Sequence, residues 1–337
     1  MPKNLLQKLI NDEKKINKKL YTAGSYWDYK NSKAAHQIIK KGIKNFRGVN
    51  VGIGSSFADS VVLDIRNELN TFGRIAGSLF SLPFLKKIFN KQLIVTNRHI
   101  QQNLKNLSIV YQNNTDVLSL LKKYKFENTT DFGCIKKMNL ENKEYSIHYL
   151  NMADRIDQLS NKFDFKMINS FFEIGGGFGS NIHFMLTNFP QIRKIIYLDI
   201  VPNIYIGTEY LRHHYGKNVK DYLNYSNEKR ISFSKDNNLE IICIPPWEIE
   251  KLDVEIDHFH NAASFVEMPE HVIKNYCKYI KKFNTKHISL VSYDKYNLET
   301  TLKPELLNSF FDNSLNVEWK DVLIKDYKRK YIYLTSR

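Results

Sequence analysis

The chain has 337 residues, a mass of 39.7 kDa and a formal charge of +15, with 42% hydrophobic and 13% aromatic residues. This length and apolar content exclude a disordered chain and allow two domains, or one large domain with a sizeable extension. A pI near 9.4 favours acidic partners such as nucleic acid, an anionic membrane surface or a phosphorylated small substrate. A composition rich in Lys, Asn and Ile also gives a solvated basic surface with no such partner, so charge alone weighs little for nucleic acid.

Met1 to Leu20 sets Lys pairs between short Leu and Ile groups, without the continuous apolar stretch of a secretory leader. No segment approaches the ~18 consecutive apolar residues of a spanning helix. Cys134, Cys243 and Cys277 are far apart and show no C-x-x-C spacing, so neither a disulfide framework nor a zinc site is expected. A reducing, cytoplasmic setting follows as the expectation.

Residues 1–160 read as a mostly helical extension. Leu5, Ile10, Ile16 and Leu20 form a leading amphipathic stretch, followed by the aromatic cluster Tyr26, Trp27 and Tyr29. Val51-Gly52-Ile53-Gly54-Ser55-Ser56 is a glycine-rich turn that lacks the Lys of a phosphate-binding loop. Apolar spacing predicts helices over Val61 to Leu69 and Val117 to Leu121, and turns are expected at 113–116 and 141–143.

Residues 161–337 change texture. Short apolar runs at Ser170 to Ile174, Ile195 to Ile200, Leu239 to Ile244, Ile256 to Asn261 and His287 to Tyr293 read as strands. Helical patterns at Asn181 to Phe189, Asn203 to His214 and Pro269 to Phe283 alternate with them, which is the rhythm of a parallel sheet. Two last runs, Val317 to Ile324 and Tyr331 to Leu334, flank a charged turn at Asp326 to Lys330 and predict an antiparallel hairpin at the sheet end.

The most informative segment is Phe171-Phe172-Glu173-Ile174-Gly175-Gly176-Gly177-Phe178-Gly179-Ser180, placed where a strand ends and a helix begins. Glycines there admit positive φ and let a ligand approach the main chain. Glu173 is a carboxylate at the tip of an apolar strand, suited to the ammonium of an amino-acid-bearing cofactor. Asp199 ends the next strand, where doubly wound folds hold ribose hydroxyls. A dinucleotide fingerprint would need glycine where Ser180 stands. Glu-x-Gly-x-Gly-x-Gly is instead the pattern of class I S-adenosylmethionine-dependent methyltransferases, and S-adenosylmethionine is the expected cofactor.

Beyond the fourth strand, Ile256 to Met268 gathers several polar side chains near one strand end. Period-two alternation places Asp257, Phe259 and Asn261 on one face and His258 and His260 on the other. His260 or Glu267 could take the proton of an acceptor hydroxyl, a contribution on the order of 10²–10⁴-fold. Each has a plainer alternative, a core histidine for the first and a charge at a helix N-terminus for the second. No metal is expected, since no second ligand cluster joins Asp257 and the two histidines. Pro245-Pro246-Trp247 follows the third strand and either covers an adenine ring or makes a rigid turn. Adenine amino-methyltransferases carry Asp or Asn before Pro-Pro-aromatic; here that position is Ile244 and lies one strand too early, which weighs against nucleic acid.

Together the Phe172 to Gly179 loop, Tyr197-Leu198-Asp199-Ile200, the Pro245-Pro246-Trp247 turn, Asn261 to Met268 and the Tyr26-Trp27 segment resemble the sugar O-methyltransferases found with bacterial surface-polysaccharide genes. The resemblance implies a Rossmann-like α/β methyltransferase sheet with a helical N-terminal extension. It also implies methylation of a sugar hydroxyl, on a nucleotide sugar or on a growing glycan of capsule or lipopolysaccharide. The expected cofactor set is Glu173, Gly175, Gly177, Gly179, Asp199, Ile200, Pro246, Trp247 and Asn261. Tyr26, Trp27 and Ser264 are expected to meet the acceptor, and His260 and Glu267 to do the acid–base work. The rivals are an RNA or DNA methyltransferase and a non-catalytic S-adenosylmethionine-binding protein. The oligomeric state stays open, a homodimer included.

Overall fold

The computed structural model describes residues 2–16, 18–22, 24, 27, 31, 34–36, 38–39, 42–43, 46–47, 102, 104–134, 137–293, 304–321 and 330–336. The expected turn at 51–56, the helix at 61–69, Tyr26 and most of the final hairpin turn lie outside them.

Strands in chain order are β1 (Met138–Leu140), β2 (Lys143–Tyr145), β3 (Ser170–Ile174), β4 (Lys194–Leu198), β5 (Val219–Lys220), β6 (Glu240–Ile244), β7 (His258–Ala262), β8 (His287–Tyr293), β9 (Asn316–Asp321) and β10 (Lys330–Thr335). The helices that bear on the site are α1 (Pro2–Glu13), α2 (Ile147–Ser160), α3 (Ser180–Asn188), α4 (Asn203–Tyr215) and α5 (Glu270–Lys282). Each expected strand of the second half is present within one or two residues at most ends, and β5 is a short addition at the edge.

Among the described residues the main sheet runs β5-β6-β4-β3-β7-β8-β10-β9. The pairs β5–β6, β6–β4, β4–β3, β3–β7 and β7–β8 are parallel, and β10 pairs antiparallel with both β8 and β9. This is the Rossmann-like α/β sheet with a terminal antiparallel hairpin. After β3 the chain winds outward to β4 and β6, then returns to place β7 on the other side of β3. The carboxyl ends of β3, β4 and β7 therefore converge at a topological switch point, where such folds bind ligands.

Strands β3, β4 and β6 are buried along their whole length, as parallel strands covered on both faces must be. Side-chain alternation sorts them into two cores. Phe171, Ile195, Tyr197, Ile241 and Tyr333 pack with Ile156 of α2, Ile182 of α3 and Tyr210 of α4. Phe172, Ile174, Ile196, Leu198, Phe259 and Leu334 pack with Val272, Ile273, Tyr276 and Ile280 of α5. These α5 positions follow the i, i+1, i+4, i+8 spacing of a helix with one apolar stripe. Lys281 and Lys282 in its last turn complement the helix dipole.

The first 160 residues contribute helices and one unforeseen hairpin. Glu141 (φ 48°) and Asn142 (φ 63°) make the two-residue turn joining β1 and β2, with Leu140 opposite Lys143. Asn114 caps the helix Thr115–Lys123 by accepting from the backbone N–H of Asp116 and Val117. Leu5, Leu6 and Leu9 of α1 enter the first core, and Tyr21 enters the second, so the extension is packed into the same interior as the sheet. The three cysteines are buried thiols. No described helix is long and apolar enough to cross a membrane.

Candidate functional site

The glycine loop begins where β3 ends. Gly175 N–H donates to Leu198 O of β4 at 2.8 Å, and Gly175, Gly177 and Gly179 all have positive φ, at 73°, 65° and 80°. Steric exclusion adds to conformation at Gly175 and acts by itself at Gly176. A Cβ on Gly175 would come within 2.2 Å of Ser264 Oγ, and one on Gly176 within 2.5 Å of Glu173 Oε2. Gly175→Ala is therefore expected to cost about 2 kcal/mol or more, combining left-handed strain with the clash, and to abolish cofactor binding. Thermal melts and calorimetry on the variant check both.

Asp199 is 4% exposed and ties the loop to β4. Its Oδ2 accepts from Gly177 N–H at 2.8 Å and its Oδ1 from Ile200 N–H at 2.7 Å. Burial raises its pKa to about 7 against the pull of these N–H donors, and the charge of Glu267 adds to the rise. Glu173 of β3 is 1% exposed. Its Oε1 accepts from Asn181 Nδ2 of α3 at 3.0 Å, while its Oε2 is buried with no hydrogen-bond partner. Burial pushes this carboxyl up to about 8, with Arg155 of α2 pulling the other way.

The third wall comes from the end of β7. Asn261, buried, donates to Ile174 O at 2.8 Å and to Ser264 Oγ at 2.5 Å, while its Oδ1 accepts from Phe265 N–H at 3.1 Å. This bracket pins the strand end to β3. Between them Ala263 takes φ 64°, a left-handed conformation that folds Ser264 back over Gly175. Glu267 follows on a short 3₁₀ turn, and its Oε2 accepts the indole N–H of Trp27 at 2.7 Å.

These elements line a small cavity of about 40 Å3, within about 450 Å3 of space that includes open solvent. Of the expected site residues it is lined by Trp27, Gly175, Asp199, Ile200, Ser264 and Glu267. Glu173, Gly177, Gly179 and Asn261 are not in that lining; the two glycines belong to the loop, Asn261 braces the strand ends and Glu173 lies behind the loop. Pro246 and Trp247 are absent from the lining too: the Trp247 ring lies edge-on to Tyr222 at 5.9 Å and its N–H donates to Tyr222 OH at 3.3 Å. The two residues form a packed turn beside Tyr222, outside this lining.

His260 is corrected most sharply. It is 2% exposed, its Nδ1 hydrogen-bonds Ser289 Oγ at 2.8 Å, and its ring stacks on Phe171 at 6.0 Å. Burial lowers its pKa to about 3, so the imidazole is neutral. The alternation that put His258 and His260 on one face directs both into the aromatic core, where His258 also bonds Ser289. Asp257 sits at the opposite end of β7, accepting from the N–H groups of Asn169 and Ser170 and from Lys286.

Thr22, Asn203, Met268 and Tyr276 also line the cavity and were not anticipated. Asn203 had a readable signal, since it opens α4 one turn after Asp199 and hydrogen-bonds that carboxylate. Tyr276 belongs to the buried stripe of α5, where sequence gives no sign that one member borders a cavity.

No protein-family model matches the chain, and no curated protein matches its sequence. Solved structures similar to it include the pyocyanin biosynthetic protein PhzM, at 12% identity and TM-score 0.37, over 56% of this chain and 57% of that one. Magnesium protoporphyrin IX methyltransferase (ChlM) from Synechocystis PCC 6803, with bound SAM, is 10% identical at TM-score 0.37, over 56% and 80%. A 1,6-didemethyltoxoflavin-N1-methyltransferase from Burkholderia thailandensis, with bound S-adenosylhomocysteine, is 12% identical at TM-score 0.39, over 56% and 77%. The chain thus spans little more than half of the first of these.

Proposed function

We propose that the chain is an S-adenosylmethionine-dependent O-methyltransferase acting on a sugar hydroxyl, carried by a nucleotide sugar or a glycan destined for capsule or lipopolysaccharide. The observation that carries the cofactor reading is the unpartnered, buried Oε2 of Glu173, against which the loop packs at Gly176, where a Cβ would lie only 2.5 Å away. A buried carboxylate oxygen without a donor is costly and marks a place for a cationic or hydrogen-bonding ligand group. Asp199 adds a second carboxylate, on the cavity side of the same loop. Glu173 would hold the cofactor's ammonium, Asp199 its ribose hydroxyls, and Gly175, Ile200 and Ser264 would border it. When bound, S-adenosylmethionine supplies a methyl group on a sulfonium.

Glu267 is the remaining carboxylate of the cavity lining and is assigned as the base that receives the acceptor's hydroxyl proton. His260 drops out of that role. The sugar acceptor rests on the sequence resemblance, and the basic charge of the chain suits the diphosphate of an activated sugar. The test is a panel of nucleotide sugars with S-adenosylhomocysteine release as readout. Release on one sugar supports the assignment. Release on RNA or DNA alone would replace it, and cofactor binding with no release on any acceptor would support a non-catalytic role.

A further inference from the structure

Trp27 comes to the cavity from the N-terminal extension, far in sequence from the strand ends that build the rest of it. Its indole N–H lies 2.7 Å from Glu267 Oε2. The same segment is held at two other points. Tyr21 OH bonds the carboxylate of Glu250, and the Gly24 backbone lies against Glu267 O and Pro269, where a Cβ would sit 3.4 Å from each. Trp27 is thus delivered to Glu267 by an anchored piece of chain.

We propose that Trp27 is a positioning residue, whose indole N–H fixes the direction of the Glu267 carboxylate in the cavity and favours its ionised form; this rests on Glu267 being the base. A donor to the charged form of a carboxyl group stabilises that form. An indole carries no charge and does not titrate, so it orients the carboxylate without neutralising it as Lys or Arg would. Among the described residues, the titratable groups that share the cavity lining with Glu267 are Asp199 from the end of β4 and Tyr276 from α5. Asp199 opposes ionisation of Glu267 by like charge, and the Tyr276 hydroxyl, its pKa raised by burial, stays neutral. Trp27 supplies a compensating donor.

Trp27→Phe keeps an aromatic ring and removes the N–H. The experiment measures kcat against pH at saturating cofactor and acceptor for wild type, Trp27→Phe, Glu267→Gln and the double variant, with cofactor Kd by calorimetry. For Trp27→Phe the acidic limb of kcat is expected to move up by about one pH unit, with kcat at the foot of the limb down about tenfold. Cofactor Kd is expected to stay within about twofold, and the double variant to be no worse than Glu267→Gln. An unmoved limb in Trp27→Phe with Glu267→Gln inactive would overturn the positioning role and leave the base assignment standing. A change confined to cofactor Kd would also overturn it, making Trp27 a wall of the cofactor pocket. Wild-type turnover in Glu267→Gln would remove the base itself, and with it the role of Trp27.

Discussion

Glu173→Gln is expected to stabilise the ligand-free protein above about pH 8 while weakening S-adenosylmethionine binding on the order of 100-fold. The carboxyl group's folded pKa, about 8, lies above its ordinary value of 4.5. The folded state therefore holds the proton more tightly than the unfolded state. Stability is greatest below about 4.5, falls as pH rises toward 8, and is flat beyond, where the full cost of a buried unpaired charge is present. That cost is on the order of several kcal/mol at one pKa unit per 1.36 kcal/mol. The amide removes the charge, keeps an acceptor for Asn181, and discards the partner for the cofactor's ammonium. Melting curves across pH and calorimetric titration check the two halves; equal stability together with retained affinity would mean that Glu173 is neither strained nor a cofactor contact.

Asp199→Ala carries the other large effect. A charged carboxylate that accepts from two ribose hydroxyls contributes about 1.5–3 kcal/mol per bond, so cofactor affinity is expected to fall by about 100-fold or more. The wild-type protein should show the same dependence through pH. Asp199 has a pKa of about 7, raised by burial, and the ionised form is the better acceptor, so affinity is expected to fall as pH drops through about 7. Asp199→Ala should flatten that component while leaving the part due to Glu173. Affinity within about twofold of wild type would remove Asp199 from the cofactor site.

Much of the sheet was readable because its strands are buried on both faces and so appear as continuous apolar runs such as Phe171-Phe172 and Ile195-Ile196. The loop was readable for a related reason. Three positive-φ glycines in five residues between a strand and a helix have few other uses, and the two carboxylates stand where apolar residues would otherwise be expected. His260 misled because alternation tells which residues share a face, and only packing tells which face meets the core. Trp247 was ambiguous in sequence because an aromatic after a Pro-Pro turn packs on a neighbour such as Tyr222 as readily as on a ligand. The Trp27 to Glu267 bond joins positions 240 residues apart, and no local pattern encodes such a meeting.

The most direct test of the cofactor assignment is calorimetric titration of the purified chain with S-adenosylmethionine, and separately with NAD, near pH 7 in two buffers of different ionisation enthalpy. The expected result is saturable binding of S-adenosylmethionine with release of roughly 1–1.5 protons from the Glu173 and Asp199 carboxyl groups, the Glu173 share lost in Glu173→Gln, and no binding of NAD. Binding of NAD without binding of S-adenosylmethionine would contradict the account and give the glycine loop a different ligand.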